Sequence, residues 1–265
     1  MTSAVPSPKR VQIYGERCSG TNWIAQLLRR NLPGVRVVDD FGWKHGLPQG
    51  DIEHALDCIF VVVHRDPFDW LRSLHGMPWH AGPELRDVPF SRFLRTPWRC
   101  VWGTDMDLAK GDARVGSEMV HERDLATGKP FANVMQLRRG KMQAWAALPT
   151  RVRHHLDVRY EAVVPDPRTF VRTFAARFGL RRWPWFRGVT TAKGGRERFL
   201  AKPYAPIAAD DLAWITSQLD VAAERALGFD LAARRAQLAG QLRAAMPLPH
   251  ATAEDSPSQA ADQGP

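Results

Sequence analysis

The stretch VQIYGERCSGTNWIAQLL, residues 11–28, decides how this chain is read. Val11–Tyr14 is an apolar strand pattern, and Asn22–Asn31 repeats apolar residues at helical spacing. Between them, Gly15 and Gly20 stand where a phosphate-binding loop places its glycines. A loop that leaves a strand and enters a helix turns several backbone N–H groups toward one point, and the helix dipole adds partial positive charge there. Gly20 allows an anion close to the backbone, Ser19, Thr21 and Asn22 carry donor side chains, and Arg17 carries a full charge. Thr21 and Asn22 occupy the places where an ATPase loop has its Lys and its magnesium-holding Ser or Thr. The cradle therefore suits a phosphate handled without that apparatus. A tight βα turn that holds no ligand is the structural alternative.

The rest of the chain continues the same alternation. CIFVVVH, Cys58–His64, is a continuous β-branched run of the kind buried on both faces of a parallel sheet. Pro67 then opens a helix over Phe68–Leu74. Shorter strands are predicted at Val35–Val38 and Leu156–Val163, the latter followed by a helix that begins at Asp-Pro and stops at Gly179. Further helices are predicted at Phe90–Leu94, Asn133–Leu148, Ala209–Ala226 and Leu231–Ala245. This order predicts an α/β fold of three layers, with a mostly parallel central sheet flanked by helices. One domain over residues 11–246 is expected, with a flexible N-terminus at 1–10 and a disordered, Pro-rich tail at 247–265. Residues 76–133 break the rhythm and read as a long insertion, a candidate acceptor lid. Its Trp79, Trp98 and Trp102 suit the insertion's own core better than a ring-stacking surface.

Composition narrows the classes. The 265 residues are 44% hydrophobic with a formal net charge of +9, and arginine dominates the cations. Arginine favours bidentate contacts to phosphate or sulfate. No basic helix, zinc-finger spacing or RNP-like aromatic pattern is present, so nucleic acid is not an expected partner. Cys18, Cys58 and Cys100 are too scattered for a disulfide framework or a zinc site and fit a reduced, cytoplasmic setting. The N-terminus has no apolar leader pattern, and no apolar run reaches the length of a membrane span. Oligomeric state leaves no signature in the sequence.

A second constellation lies in FVVVHRDPFDWLRSLH, residues 60–75. Arg65 follows a buried strand, and Ser73 comes eight residues later on the next helix. Ligands of parallel sheets bind outside the carboxyl ends of the strands. Arg65 and the first turn are thus expected on one edge, with Arg65 and Ser73 as holders of a second phosphate. A surface ion pair with Asp66 or Asp69 is the alternative for Arg65.

With these residues the chain resembles the sulfotransferases that use 3′-phosphoadenosine-5′-phosphosulfate (PAPS). CSGTNW, Cys18–Trp23, is similar to the family's 5′-phosphosulfate loop, and GERCSGTN to a bacterial branch of it. Arg65 and Ser73 have the spacing of its 3′-phosphate site, and KHGLP, Lys44–Pro48, resembles the segment that carries its catalytic base. RYEAV, Arg159–Val163, and Lys193-Gly194-Gly195-Arg196 resemble two later motifs. The likeness covers residues 11–75, 156–180 and, more loosely, 190–228.

The resemblance implies a P-loop-like sulfotransferase fold. It also implies transfer of a sulfuryl group from PAPS to a hydroxyl or amine of a small molecule or carbohydrate, leaving 3′,5′-adenosine bisphosphate, with no metal required. His45 is the implied base, with His75 and Glu122 in reserve. Lys44 and Arg17 are the implied cations at the leaving phosphate. Arg17, Cys18, Ser19, Gly20, Thr21, Asn22 and Trp23 would hold one end of the nucleotide. Arg65, Ser73, Tyr160, Lys193, Gly194 and Arg196 would hold the other. Trp23 would pack by the adenine or in the core, and Tyr160 with Glu161 would brace the loops. The chain departs from the family at Cys18, where the loop lysine is replaced by a thiol. A small-molecule kinase and a non-enzymatic polyanion-binding module are the competing readings.

Overall fold

The computed structural model describes residues 7–103, 108–124, 126–191 and 204–245. Among them, four strands form one sheet: β1 (Arg10–Gly15), β2 (Arg36–Val38), β3 (Cys58–His64) and β4 (His154–Arg159). Every pairing is parallel and the spatial order is β2-β1-β3-β4. The expected α/β class is therefore seen: a parallel sheet with helices against it.

Strand periodicity explains the layering, because successive side chains take opposite faces. Val11 and Ile13 of β1 and Ile59, Val61 and Val63 of β3 pack on one face, against Ile24, Leu27 and Leu28 of α1 (Thr21–Asn31). Phe174 and Ala175 of α7 (Pro167–Arg177) join that cluster. Tyr14, Phe60 and Val62 face the other way, against Phe41 and Ile52. Trp145 of α4 (Val134–Ala146) and Leu148 of α5 (Leu148–Arg151) complete this second cluster. β3 is buried at every position, as its unbroken apolar run predicts.

A third cluster lies beside the sheet. It joins α2 (Pro67–Gly76), α3 (Phe90–Arg95) and α4 to α8 (Ala209–Gln218) and α10 (Leu231–Ala245). Segment 76–133 is part of this core. Antiparallel bridges tie Ala81 to Cys100, Val101 to Glu118 and Trp98 to Phe131, and Phe93, Leu94 and Trp98 are fully buried. Trp98 is thus a core residue, whereas Trp79 and Trp102 are half-buried.

Two predicted elements differ from the structure. Only the first half of the Leu156–Val163 strand is extended, and Tyr160–Val163 is a helical turn, α6. Beyond Arg159 no neighbouring strand remains to pair with, since β3 ends at His64. The single helix expected over Ala209–Ala226 is two, α8 and α9 (Val221–Ala226), because Asp220 caps a new start by accepting from the Ala223 N–H. No helix among the described residues is long and apolar enough to cross a membrane.

The sheet order positions the site. From β1 the chain passes through α1 to β2 on one side, then returns to β3 on the other. The first two connections therefore diverge at the carboxyl ends of β1 and β3, which opens a crevice there. Gly15 pairs with Val63, so the residues just after each strand emerge side by side.

Candidate functional site

The loop after β1 has little steric freedom. Gly15 donates its N–H to the Lys44 carbonyl at 3.0 Å, and Ser19 donates to the Glu16 carbonyl at 3.1 Å. Cys18 takes φ 62°, and Gly20, the N-cap of α1, takes φ 97°. A Cβ on Gly20 would lie 2.4 Å from the Tyr160 ring. Glycine is thus required at position 20 by conformation and by space, and the loop rests against α6.

Arg65 closes the other side. Its Nη1 donates to the Cys18 carbonyl at 2.7 Å and its Nη2 to the Tyr204 hydroxyl at 2.9 Å, and its guanidinium lies 5.1 Å from the centre of the Tyr160 ring. The residue after β3 and the loop after β1 therefore meet directly, as the strand order required. The Arg65 Nε and the Ser19 hydroxyl are buried and have no partner among the described residues. Buried polar atoms are almost always satisfied, and these two, on the two sides of this junction, are open to a further hydrogen-bond partner. Ser73 lies about 9 Å along α2 from its first residue, half-buried. Thr21 is buried and Asn22 exposed. The Asn22 Oδ1 accepts from the Lys44 ammonium at 2.8 Å, which brings the expected cation to the start of α1. Trp23 donates its indole N–H to the Val189 carbonyl at 3.3 Å and meets Tyr160 edge-on, a packing role. Lys193, Gly194 and Arg196 lie outside the described residues.

His45 is buried against the loop. Its Nδ1 is 2.7 Å from the Gly15 carbonyl. A carbonyl only accepts, so Nδ1 carries the hydrogen and Nε2 keeps its lone pair. Burial holds the imidazole well below its ordinary value of 6.5, and the charges of Arg17, Lys44 and Lys141 add to that, against the opposing bond to Gly15. The ring is therefore neutral at pH 7, with a basic nitrogen left over.

Arg17 points inward. Its guanidinium forms a bidentate pair with Glu122 at 2.7 and 2.8 Å and contacts the Cys100 Sγ at 3.0 Å and the His80 Nδ1 at 3.3 Å. Glu122 also binds the Lys141 ammonium and accepts the Trp98 indole N–H at 3.0 Å. All three charged side chains are buried. Desolvation opposes ionisation of Glu122, but Arg17 and Lys141 outweigh it and hold the carboxyl far below the ordinary range. Glu122 is thus an ionised, fully engaged counter-ion and a poor base. His75, the other reserve, binds the Val88 carbonyl at 2.7 Å between Phe90 and Phe93. Arg17 braces the loop from below, so of the two expected cations Lys44 is the one placed at the loop's surface.

A second buried hub was invisible to motif reading. Arg138 pairs with Glu16 at 2.6 Å and with Glu224 at 2.5 and 2.8 Å, and donates to the Arg65 carbonyl at 3.0 Å. It thereby fixes the first residue after β1 and the first after β3 at once. One signal was available. Val134, Arg138, Lys141 and Trp145 repeat at helical spacing, so two cations share the stripe of two buried apolar residues.

Two outcomes follow from these hubs. Arg138→Ala leaves Glu16 and Glu224 buried without a cation and should cost about 3–5 kcal/mol in urea denaturation at pH 7; a loss under 1 kcal/mol would assign the hub no structural weight. Glu122 has its pKa depressed in the folded state, so the unfolded chain binds more protons once the pH nears the ordinary carboxyl range. Its contribution is present at neutral pH and lost as pH falls. Wild-type stability should therefore decline from about pH 5 to pH 2, and Glu122→Gln should be less stable at pH 7 and show a shallower decline.

Comparison with known proteins adds no identity to this site: no protein-family model matches the chain, and no curated protein is significantly similar to it.

Proposed function

We propose that the chain is a PAPS-dependent sulfotransferase acting on a hydroxyl or amine of a small molecule or carbohydrate. The observation that carries this reading is the junction of Arg65 with the loop at the Cys18 carbonyl, flanked by the orphaned Ser19 hydroxyl and Arg65 Nε. A nucleotide with phosphates at both ends needs two adjoining anion sites, and the ends of β1 and β3 bring the glycine loop and the Arg65 guanidinium side by side. The residues fit such a ligand. Ser19, Gly20, Thr21 and Asn22 would hold the 5′ end, and Arg65, Ser73 and Tyr160 the 3′ end.

PAPS supplies the sulfuryl group when bound; the chain supplies orientation, charge and a proton acceptor. His45 Nε2 takes the acceptor's proton, because the Gly15 carbonyl fixes the tautomer and the surrounding cations keep the ring neutral. Lys44, held by Asn22, offsets negative charge developing at the leaving phosphate. Arg17, Glu122 and Lys141 hold the loop from beneath. Thr21 and Asn22 stand where a nucleoside-triphosphate loop needs Lys and a hydroxyl, which favours this chemistry over a kinase. A cytoplasmic setting belongs to the same proposal, supported by the free thiols of Cys18, Cys58 and Cys100.

Thermal melts with 3′,5′-adenosine bisphosphate test the nucleotide site. Saturating ligand should stabilise the wild type by about 2.7 kcal/mol at 100 times Kd, and Arg65→Ala should lose most of that shift. An absent wild-type response, with a response to ATP and magnesium instead, would return the site to kinase chemistry. His45→Ala should keep the shift while losing about 100- to 10,000-fold in turnover. The neutral imidazole is the active form and its pKa is lowered, so kcat/KM should stay flat as pH falls through 6.5 and drop only well below it. An acid limb centred near 6.5 would move the base to another group.

A further inference from the structure

A second feature lies at the opposite end of α1, about 16 Å along the helix from the loop. The segment RRWPWFRG, Arg181–Gly188, is fastened to the last turn of that helix. Trp183 donates its N–H to the Asn31 carbonyl at 3.0 Å, and Arg187 donates to the Asn31 Oδ1 at 2.8 Å. The Asn31 amide returns a bond to the Arg187 carbonyl at 2.9 Å, and Arg30 binds the Gly188 carbonyl at 2.8 Å. The turn is therefore held rigid, yet it presents apolar surface: Trp183 is 38% exposed and Trp185 54%. Their rings stack with centroids 5.8 Å apart and 12° between planes, and the Arg187 guanidinium lies 5.7 Å from each.

Beside the pair is a recess of about 270 Å³, lined among others by Arg168, Arg172, Arg182, Trp183, Trp185 and Phe186. Its lining includes no acidic side chain. Among the described residues, Arg168, Arg172 and Arg182, the three arginines of the lining, have no carboxylate partner. Asp166, the nearest acid in sequence, caps α7 through the Thr169 N–H. Three guanidiniums without an acid among them, beside two exposed indoles, make a cationic and partly apolar surface that an anionic ligand complements.

We propose that this recess binds an acidic oligosaccharide, with a sugar ring laid on an indole face and its carboxylate or sulfate groups held by Arg168, Arg172 and Arg182. Each stacked indole leaves one face uncovered by the other, which suits a single ring. Guanidinium forks match carboxylate and sulfate geometry bidentately. The concavity favours a ligand that enters over a planar bilayer surface. The site stands independently of the nucleotide crevice; if the sulfotransferase reading also holds, it places a glycan-anchoring surface at the far end of α1.

The test uses the full chain and a sulfated heparin-derived hexasaccharide, followed by calorimetry and tryptophan fluorescence. Maltohexaose, vesicles of equal phosphatidylglycerol and phosphatidylcholine, and a thymidine hexanucleotide serve as the other arms. Saturable binding of the sulfated hexasaccharide alone is expected, about tenfold weaker in Trp185→Ala and in the double variant Arg168→Ala with Arg172→Ala. Both variants change exposed side chains and should keep the response to adenosine bisphosphate, so failure here is distinguishable from failure of the crevice. Absence of saturable binding would overturn the proposal. So would tighter binding of the vesicles or the oligonucleotide lost in the same variants, or a Trp185→Ala variant with unchanged affinity.

Discussion

A buried guanidinium must find its partners inside the protein, and Arg138 finds them at the two places where the site is made. Its bonds reach Glu16 after β1, the Arg65 carbonyl after β3 and Glu224 on α9. Desolvating three charges is costly, and the cost is offset only when the geometry is kept. The hub therefore acts less as a source of stability than as a constraint on the relative position of two strand ends. Around that constraint the loop takes its left-handed turns, Tyr160 closes on Gly20, and Arg65 reaches the Cys18 carbonyl.

The second charged group, Arg17 with Glu122 and Lys141, sets the electrostatics of the site. Arg17 and Lys141 share the Glu122 carboxylate beneath the loop, and burial lowers the Lys141 pKa against the pull of that carboxylate. Burial and the neighbouring Arg17, Lys44 and Lys141 disfavour a charged imidazole at His45. The arrangement thus serves the proposed base. Lys44 comes to the start of α1 from a neighbouring segment and is held there by Asn22. Segment 76–133 takes part in this by delivering Glu122, and its apolar residues share one core with α2 and α4.

The chain thus shows two cationic regions at opposite ends of α1. At the start of the helix, Arg17 and Arg138 are paired and buried, while Arg65 is half-buried and bonds only a carbonyl and a hydroxyl. At its end, arginines are exposed and unpaired, and the indoles beside them are held by backbone bonds to Asn31. Pairing and burial distinguish the two, and composition alone reports only the formal net charge of the whole chain, +9.

The sequence by itself determined the strands, the glycine loop and the edge on which Arg65 emerges. These depend on periodicity, on the φ that glycine permits and on where a buried run stops, all local properties. It also marked His45 and Lys44 as belonging near the loop, through resemblance. The inward turn of Arg17, the hub at Arg138, the helical turn at Tyr160 and the exposed Trp183–Trp185 pair were decided by tertiary structure. Arg17 meets Glu122 across 105 residues and Arg138 meets Glu16 across 122. A side chain's period fixes the face it takes, but which distant opposite charge waits on that face depends on how the layers pack.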